Sequence, residues 1–470
     1  MGSSWKKTSL MELGVELIDC DHKTPKAVEK GVPYIGIPQM DRGKINFSAN
    51  PRLISEDDFL KWTRKANPMY GDVILSRRCN SGETVYVPKE SKFALGQNLV
   101  LLRPTGNRMH PEYLRWAVQG REWWNEVAKY LNPGAIFESL KCRDIPKFKI
   151  PEPPKSIQIK ISKILSDIEN KIELNSQINQ TLEQMAQALF KSWFVDFDPV
   201  IDNALDAGNP IPNALAERAA RRQAARASDD FQPLPDDVRQ LFPSEFEDSE
   251  LGWIPKGWGI KALKKLVDIS SSKRIFSKEY QDKGIPFYRG KEISELSKGR
   301  RVQSDIFISE DRFNEFQDKY GVPKEGDILI TSVGTIGNTY LVEKSDRFYF
   351  KDGNLTWIKA YHDLFIPHYF IEWFKSSHGK EIIESIKIGT TQQAITINSL
   401  NSIKILQANS SVHELFEEHV RSIFLKVRLN NTESNNLEDI RDTLLPKLIS
   451  GELRLDSPEV EQAKSLLDGE

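Results

Sequence analysis

The sequence predicts an α+β protein in which two similar α/β domains are separated by two long helices, packed as an antiparallel coiled coil with pseudo-two-fold symmetry. Three observations support this prediction. Short phrases recur in the same order at an offset of about 255 residues. Apolar and β-branched runs alternate with Gly, Pro and Asn in both copies. A heptad pattern of apolar residues follows each copy.

The internal repeat extends over most of each predicted domain. Asn98-Leu99 in the first copy matches Asn354-Leu355 in the second. Two copies of a unit this long favour a pseudo-dimer in one polypeptide over a stacked repeat array, and a two-fold protein suits a target with two halves. The longer repeated phrases are residues 31–34 with 284–287, 71–75 with 326–330, and 82–87 with 337–342.

The first domain is assigned to residues 1–150. Short apolar runs bounded by Gly, Pro and Asn predict strands over residues 72–76, 84–87 and 98–102. A tryptophan-bearing stretch over residues 110–129 predicts a helix. The mixture indicates an α/β or α+β domain.

A long helix of coiled-coil type is predicted over residues 151–195 and a second one over residues 409–455. The second helix starts at a capping box, Ser411 to Glu414, and Pro446 is expected to end or kink it. The main seam recurs at heptad spacing: Ile161, Ile168, Asn175, Leu182 and Leu189 in the first helix, and Phe416, Ile423, Asn430, Leu437 and Leu444 in the second. The companion seam of the first helix is assigned to Ile157, Ile164, Lys171, Ile178 and Met185, with Lys171 as its polar member.

Three further segments complete the organisation. Residues 196–258 are acidic and contain proline, and we expect a linker with little core of its own, in which residues 213–227 favour a helix. Residues 259–408 repeat the first domain. Residues 456–470 form a C-terminal tail.

Asn175 and Asn430 occupy the same seam position, each near the midpoint of its helix. In an antiparallel pair related by a two-fold axis these midpoints meet, so the asparagines would hydrogen-bond across the seam and fix the helix register. The alternative is that each asparagine lies on a solvated edge of its helix. A helix of about 36 residues is about 54 Å long, so the pair would hold the domains further apart than one turn of duplex DNA, about 34 Å.

Composition excludes several classes of protein. No apolar run approaches the length of a membrane span, and the sequence around Lys6 and Lys7 lacks the apolar stretch of a signal peptide, so a cytoplasmic protein is expected. Cys20, Cys79 and Cys142 are too few and too dispersed for a disulfide framework or a zinc knuckle.

Charge is distributed unevenly along the chain. Residues 1–150 hold 24 Lys and Arg against 17 Asp and Glu, and residues 260–405 hold 23 against 19, whereas the whole chain carries a net charge of −2. Two modestly basic units joined by acidic segments are compatible with a polyanion bound at two places.

The sequence contains none of the common catalytic signatures. A GxxxxGK[ST] phosphate loop, a GxGxxG after a strand and an HExxH are all missing. His413 and His419 are six residues apart, a spacing that does not place two metal ligands on one helix face. We therefore assign no catalytic, cofactor-binding or metal-binding residues.

The joins between the segments carry a family resemblance. Phe194-Val195-Asp196-Phe197-Asp198-Pro199 follows the first helix, and a second phrase, which contains Leu241-Phe242-Pro243 and Leu251-Gly252-Trp253-Ile254-Pro255, precedes the second domain. Together with two variable domains that are each followed by a helix, these phrases resemble the specificity (S) subunit of type I restriction-modification systems over essentially the whole chain.

The resemblance implies a non-catalytic subunit. Residues 1–150 and 259–408 would be target recognition domains 1 and 2, each reading one half of a bipartite double-stranded DNA site. The spacer helices would separate the halves and dock two methylation subunits, and two restriction subunits would complete the nuclease. S-adenosylmethionine and ATP with Mg would be bound by those partners, and this chain would bind no cofactor.

Base reading requires hydrogen-bonding side chains on loops held by a scaffold. Residues 389–393 resemble a phrase frequent in this family, whereas their counterpart in the first copy, residues 132–135, departs from it. For each candidate a plain turn or surface role is the alternative. The candidates are Arg77, Arg78, Asn80, Ser81, Gln97 and Asn98 in the first domain, and Arg289, Lys291, Ser332, Thr335, Asn338, Asn354, Thr390, Thr391, Gln392 and Gln393 in the second.

Two other classes of function stay open at this point. Asn67-Pro68-Met69-Tyr70 resembles the Asn-Pro-Pro-Tyr motif with which adenine-N6 methyltransferases bind a flipped base. Met replaces the second Pro and no Gly-rich cofactor loop precedes it, so we interpret it as a turn leading into the strand at Asp72. The alternatives are a stand-alone adenine methyltransferase or nuclease fusion, and a coiled-coil adaptor that binds only proteins.

Overall fold

The computed structural model describes residues 5–132, 138–360, 366–390 and 392–468. The chain divides into two units by its internal contacts: unit 1 comprises Met1–Leu174 and Asn436–Glu470, and unit 2 comprises Asn175–Asn435. Each unit therefore combines one repeated region with half of each long helix.

The first repeated region forms short strands and three helices. The strands are β1 (Lys7–Ser9), β2 (Val15–Asp19), β3 (Val32–Ile35), β4 (Met40–Asp41), β5 (Lys44–Ile45), β6 (Arg52–Ile54), β7 (Val73–Ser76), β8 (Thr84–Tyr86), β9 (Ala94–Leu95), β10 (Leu99–Pro104) and β11 (Lys149–Pro151). The helices are α1 (Glu56–Thr63), α2 (Pro111–Ala117) and α3 (Arg121–Tyr130).

Two sheets organise this region. One has the strand order β2-β10-β7-β8 and is antiparallel, and the other has the order β6-β3-β9, with β3 and β9 parallel. β7 and β10 are apolar and buried on both faces, as expected for central strands. The helix predicted over residues 110–129 is instead two helices that break before Gly120, where an added Cβ would lie 3.3 Å from the Ile449 side chain.

The first long helix and three short ones follow. They are α4 (Lys155–Phe194), α5 (Asp198–Ala207), α6 (Ala216–Arg226) and α7 (Asp236–Arg239). The first half of α4 packs in the core of unit 1, through residues such as Ile161 and Ile168. Its second half packs in the core of unit 2, through residues such as Phe190 and Phe194.

The second repeated region has the same sheet topology as the first. Its sheets have the orders β15-β21-β18-β19 and β17-β16-β20, with β16 and β20 parallel. The strands are β12 (Phe246–Glu247), β13 (Ile254–Pro255), β14 (Gly259–Ala262), β15 (Val267–Ser270), β16 (Ile285–Tyr288), β17 (Phe307–Ile308), β18 (Ile328–Thr331), β19 (Thr339–Leu341), β20 (Tyr349–Phe350), β21 (Leu355–Ala360) and β22 (Lys404–Gln407). The helices are α8 (Gly290–Leu296), α9 (Glu310–Tyr320), α10 (Pro367–Lys375), α11 (Ser377–Ser385) and α12 (Ile397–Asn401).

The second long helix, α13 (Ser410–Ser450), is followed by α14 (Pro458–Asp468). In unit 2 α4 and α13 run antiparallel, since Asn175 lies beside Asn430 and Phe190 packs on Phe416. In unit 1 Arg441 of α13 donates to Glu169 of α4. Among the described residues, no helix has the length and apolar character needed to cross a membrane.

Pro446 was expected to end or kink the second helix, and it does not end it. α13 continues for another turn to Ser450, with Pro446 inside it. Proline removes one main-chain hydrogen bond, but Leu448 and Ile449 in the following turn are fully buried in the core of unit 1 and hold that turn in place.

The companion seam of α4 is displaced by one residue from the prediction. Met185, which we assigned to it, is 54% exposed, whereas the adjacent Ala186 is fully buried. The side chains that face inward at heptad spacing are Gln158, Leu165, Ile172, Asn179, Ala186 and Trp193. The predicted Ile157 and Ile164 also pack in the core of unit 1, whereas polar or small residues such as Gln158, Asn179 and Ala186 interrupt the observed seam and misdirect an assignment made on hydrophobicity.

The acidic segment is also different from the predicted linker with little core. Val200 and Phe242 are buried in the same core cluster as Trp193 and Phe416. Much of its charge is used internally; for example, the Arg222 Nε donates to the nearly buried Asp202 carboxylate at 2.9 Å. The segment is therefore a folded part of unit 2.

Candidate nucleic-acid interface

In unit 1, three connecting segments meet at one edge of the four-stranded sheet. β7 and its antiparallel neighbour β10 pair with Leu99 opposite Ser76, so the segment after β7 and the segment before β10 leave the same edge. The Arg77 N–H donates to the Asn98 carbonyl at 3.0 Å. The Leu140 N–H donates to the Arg77 carbonyl at 3.0 Å, which brings a third segment, the one before residue 140, to this edge.

Unit 2 repeats this arrangement. The Ser332 N–H donates to the Asn354 carbonyl at 2.8 Å, and the Ile395 N–H donates to the Ser332 carbonyl at 3.0 Å. These bonds join the positions that correspond to those of unit 1 in the internal repeat. The two units therefore present the same sheet edge with different side chains.

Three of the predicted residues in unit 1 project from this edge. Arg78, Asn80 and Gln97 are exposed. Cys79 and Asn80 have φ values of 51° and 72°, in the left-handed region, which lets the loop turn sharply after β7. The exposed amide and guanidinium groups are those that hydrogen-bond base edges in the major groove.

The other predicted residues of unit 1 are less accessible. The side chain of Arg77 is 13% exposed, and its Nη2 lies 3.7 Å from the Asp19 carboxylate. The Ser81 hydroxyl donates to the Arg77 carbonyl at 3.0 Å and to the Glu138 carbonyl at 3.1 Å. Asn98 is partly buried. Arg77 and Ser81 thus hold the loop in place.

The predicted residues of unit 2 divide in the same way. Ser332 is buried, and its hydroxyl shares a 2.6 Å hydrogen bond with that of Thr356. The Asn338 Nδ2 donates to the Ser294 hydroxyl at 2.9 Å, and Asn354 is partly buried. Thr391 lies outside the described residues. The exposed members of the set are Lys291, Thr335, Thr390, Gln392 and Gln393.

Arg289 is held by carboxylates of its own domain. Its Nη2 donates to Glu292 Oε1 at 2.7 Å and lies 3.2 Å from Asp305 Oδ1. The hydrogen bond that Arg289 donates to Glu292 is the main reason why the pKa of the Arg289 guanidinium is raised above its ordinary value. The Arg289 side chain therefore stabilises its own domain and is not free to donate to DNA.

Sequence reasoning missed Asp19, the last residue of β2, and His22, which follows this strand, at the same edge of unit 1. The His22 Nδ1 lies 3.0 Å from the Gln97 carbonyl, and its Nε2 lies 3.1 Å from Asp19 Oδ2. The Cys20 thiol is close to both, but burial raises its pKa to about 11, so it is a poor metal ligand. No strand was predicted over residues 15–19, so neither residue was marked by a signal in the sequence.

The two predicted register asparagines are buried within unit 2, being 3% and 2% exposed. The Asn175 Nδ2 donates to Glu433 Oε2 at 2.7 Å and lies 3.5 Å from the Asn430 carbonyl. The Asn430 Nδ2 donates instead to Asn179 Oδ1 at 2.8 Å. The direct amide-to-amide bond that we expected is therefore replaced by one to Asn179, which lies on the companion seam.

The segment Asn67-Pro68-Met69-Tyr70 forms part of the turn into β7. The Met69 N–H donates to Asp72 Oδ2 at 2.8 Å, and the Asn67 carbonyl accepts from Arg103 Nη2 at 2.7 Å. The Tyr70 hydroxyl donates to Glu112 at 2.8 Å. These contacts account for the residues as a structural turn.

The duplicated sheet edge corresponds to a known domain. The family model for the type I restriction modification DNA specificity domain matches residues 3–184 and 255–406, once in each repeat. The chain belongs to the type I restriction-modification specificity family. This specificity subunit is accordingly the non-catalytic component that recognises the DNA sequence, in a system whose other subunits methylate and cleave.

Two curated specificity subunits illustrate the relationship. The type I restriction enzyme HindI specificity subunit of Haemophilus influenzae is 27% identical over 412 residues, covering 82% of this chain and 86% of the relative. The MjaIX specificity subunit of Methanocaldococcus jannaschii is 27% identical over 351 residues, covering 73% and 69%. The crystal structure of a type I S subunit from M. genitalium has the same fold, with a TM-score of 0.53, 15% identity and coverage of 95% and 96%.

Proposed function

We propose that this specificity subunit reads the two halves of a bipartite double-stranded DNA site, one half with each unit. The observation that supports the proposal is the duplicated sheet edge, with the same main-chain hydrogen bonds and different exposed side chains. Identical scaffolds with different donors and acceptors are what two different half-sites require.

The side chains proposed to reach DNA are the exposed ones at this edge. In unit 1 they are Arg78, Asn80 and Gln97, and in unit 2 they are Lys291, Thr335, Thr390, Gln392 and Gln393. The less exposed candidates, such as Ser81 and Ser332, act by fixing the loops. Arginine and lysine contact phosphates or guanine, and the amides suit adenine.

The proposal also includes the assembly. Two methylation subunits and two restriction subunits would bind this chain, in keeping with the two-fold repeat of its sequence. S-adenosylmethionine and ATP with Mg would be bound by those partners. The complex would act in the cytoplasm, where the DNA is found.

Exchange of one domain tests the proposal. Replacing residues 1–150 with the corresponding domain of another specificity subunit should change one half of the recognised sequence and leave the other half unchanged. The measurement is methylation-site mapping of genomic DNA treated with the assembled methylation complex. A change in both halves, or in neither, would contradict the assignment of one half-site to each unit.

A second measurement addresses the enzyme alternative. The purified chain alone, incubated with DNA and labelled S-adenosylmethionine, should transfer no methyl group, whereas adding the methylation subunits should restore transfer. Methyl transfer by the isolated chain would require a catalytic site within it.

A further inference from the structure

Unit 1 contains a polar cavity of about 290 Å³ between α2, the β4–β5 hairpin and the parts of α4 and α13 that belong to this unit. The charged side chains of its wall are Arg42, Arg115, Glu169, Glu438, Arg441 and Asp442. None of them is among the residues assigned to base reading.

Arg115 is the unusual member of this wall. Its guanidinium lies 4.9 Å from the Tyr86 ring centre and 4.6 Å from the Trp116 ring centre. Its Nε is buried without a hydrogen-bond partner, and in the described part of the chain no carboxylate lies within salt-bridge distance of it. Burial lowers the pKa of this guanidinium and outweighs the opposing attraction of the Glu169 and Glu112 carboxylates.

Two carboxylates of the wall already have cationic partners. Glu169 lies 2.6 Å from both Lys44 Nζ and Arg441 Nη1. Asp442 accepts from Arg441 at 2.9 Å. In the described part of the chain neither of these carboxylates, nor Glu438, forms a salt bridge with Arg115, so its aromatic-framed guanidinium lines the cavity without a bonded anion.

Unit 2 shows that the fold does not need these charges. By alignment of the repeats, Arg115 corresponds to Ile371, Glu169 to Phe424 and Arg441 to Ala186. Ile371 and Ala186 are almost fully buried. The positions of Arg115, Glu169 and Arg441 are therefore apolar in unit 2, so the repeated fold does not require a cation at the Arg115 position.

We propose that this cavity of unit 1 is an oxyanion-binding site in which Arg115 holds a phosphate group. A planar guanidinium binds a phosphate through two parallel hydrogen bonds, and the flanking rings hold it in a fixed orientation. The phosphate comes either from solution or from the DNA backbone. The site is separate from base reading and does not depend on it.

Thermal unfolding of the full-length chain in inorganic phosphate tests the site. With ionic strength matched by chloride, phosphate should raise the Tm in a saturable manner, because a ligand that binds only the folded state stabilises it by mass action. R115Q should abolish this response. R143Q, which changes an exposed arginine of the same unit, should retain it.

A second variant keeps the test decisive if R115Q folds poorly. R115I introduces the residue found at the matching place in unit 2, so it should fold and show no response to phosphate. A wild-type Tm that rises no more in phosphate than in chloride would overturn the proposal. So would a full response in R115I or R115Q.

The salt dependence of DNA binding by the assembled methylation complex identifies the source of the phosphate. Loss of one DNA phosphate contact should reduce the slope of log affinity against log salt by about 1 in R115Q. An unchanged slope, with the phosphate response lost, assigns the site to a free anion. The Tm measurement requires no DNA, so its failure would leave the proposed reading of half-sites untouched.

Discussion

Arg77 and Arg78 are adjacent in the sequence, yet the fold gives them opposite roles. Arg77 is largely buried, and both its carbonyl and its N–H take part in the hydrogen bonds that gather the loops. Arg78 is exposed at the rim of the same edge. Only the second of the two can reach DNA without a change in the loop.

Substitution of these arginines separates DNA contact from loop stability. R78A should weaken DNA binding by about 1–3 kcal/mol if it contacts a base, with an unchanged Tm. R77A should lower the Tm, because removal of the largely buried guanidinium takes away the cation that lies beside Asp19. Fluorescence anisotropy with the assembled complex and calorimetry of the chain measure the two effects. Equal losses of affinity without a change in Tm would contradict this division.

Glu372 gives unit 2 a dependence on pH. It is 1% exposed, and burial raises its pKa to about 7. Since its folded pKa lies above the unfolded value of about 4.3, the stability it contributes is present at pH 4 and is lost as the pH rises through 7. E372Q should therefore gain about 3 kcal/mol relative to the wild type at pH 8 and little at pH 4.

The measurement is the Tm of wild type and E372Q from pH 4 to pH 8. The exposed Glu381 provides the control, since E381Q should follow the wild-type curve. His413 acts in the opposite direction, because burial lowers its pKa to about 4 and its contribution is lost as the pH falls below about 6.5. Parallel plots of Tm against pH for E372Q and wild type would show that the pKa of Glu372 is not raised in the folded protein.

At the scale of elements, the polar layer in the helix pair of unit 2 involves Asn175, Asn179 and Asn430. N430L should destabilise the chain by about 1–3 kcal/mol, because the side-chain oxygen of Asn179, Oδ1, loses its buried hydrogen-bond donor. Replacing Asn179 and Asn430 together by leucine should recover stability, because both partners of this hydrogen bond are then apolar, and should lose a unique helix register, as polar seam residues set register at some cost in stability.

Denaturant unfolding measures the changes in stability, and the spacer length of the methylated DNA site reports the helix register. L429A is a suitable control on the same helix, because Leu429 is 55% exposed. An unchanged spacer in the double variant would mean that the asparagines do not determine register.

Elements marked by repeated phrases or by large apolar residues could be predicted from the sequence, and elements marked by polar or small residues could not. The repeat located the loops at the sheet edge, since the matching phrases are turn and strand residues that recur in order. The seam through Ile161 and Ile168 was also accessible, because its residues are large and apolar. The seam through Asn179 and Ala186 was missed, because polar and small residues give no hydrophobic signal.

Other features depend on contacts between residues that are distant in sequence. The acidic segment looked like a linker, yet ion pairs such as Arg222 with Asp202 neutralise it and let its apolar residues pack. The orientation of Arg77 depends on the bond from Leu140. Neither is encoded in local composition, so sequence reasoning could place these residues but not their environments.

At the scale of the whole molecule, the core of unit 1 is assembled from both ends of the chain. Leu444, Leu448 and Ile449 of α13, with Val460 of α14, pack in the same cluster as Leu75 of β7. L448A should destabilise unit 1 by about 2–5 kcal/mol, since Leu448 is fully buried. Hydrogen exchange should locate the loss in the first repeated region, whereas L429A should leave exchange there unchanged.

This arrangement has a consequence for biosynthesis. During translation, the first repeated region leaves the ribosome long before residues 436–470, which complete its hydrophobic core, are made. The nascent chain must keep the apolar face of α4 covered until residues 436–470 have been made, a state that is prone to aggregate and that chaperones protect. A chain truncated before residue 436 would therefore contain a complete unit 2 and an incomplete unit 1.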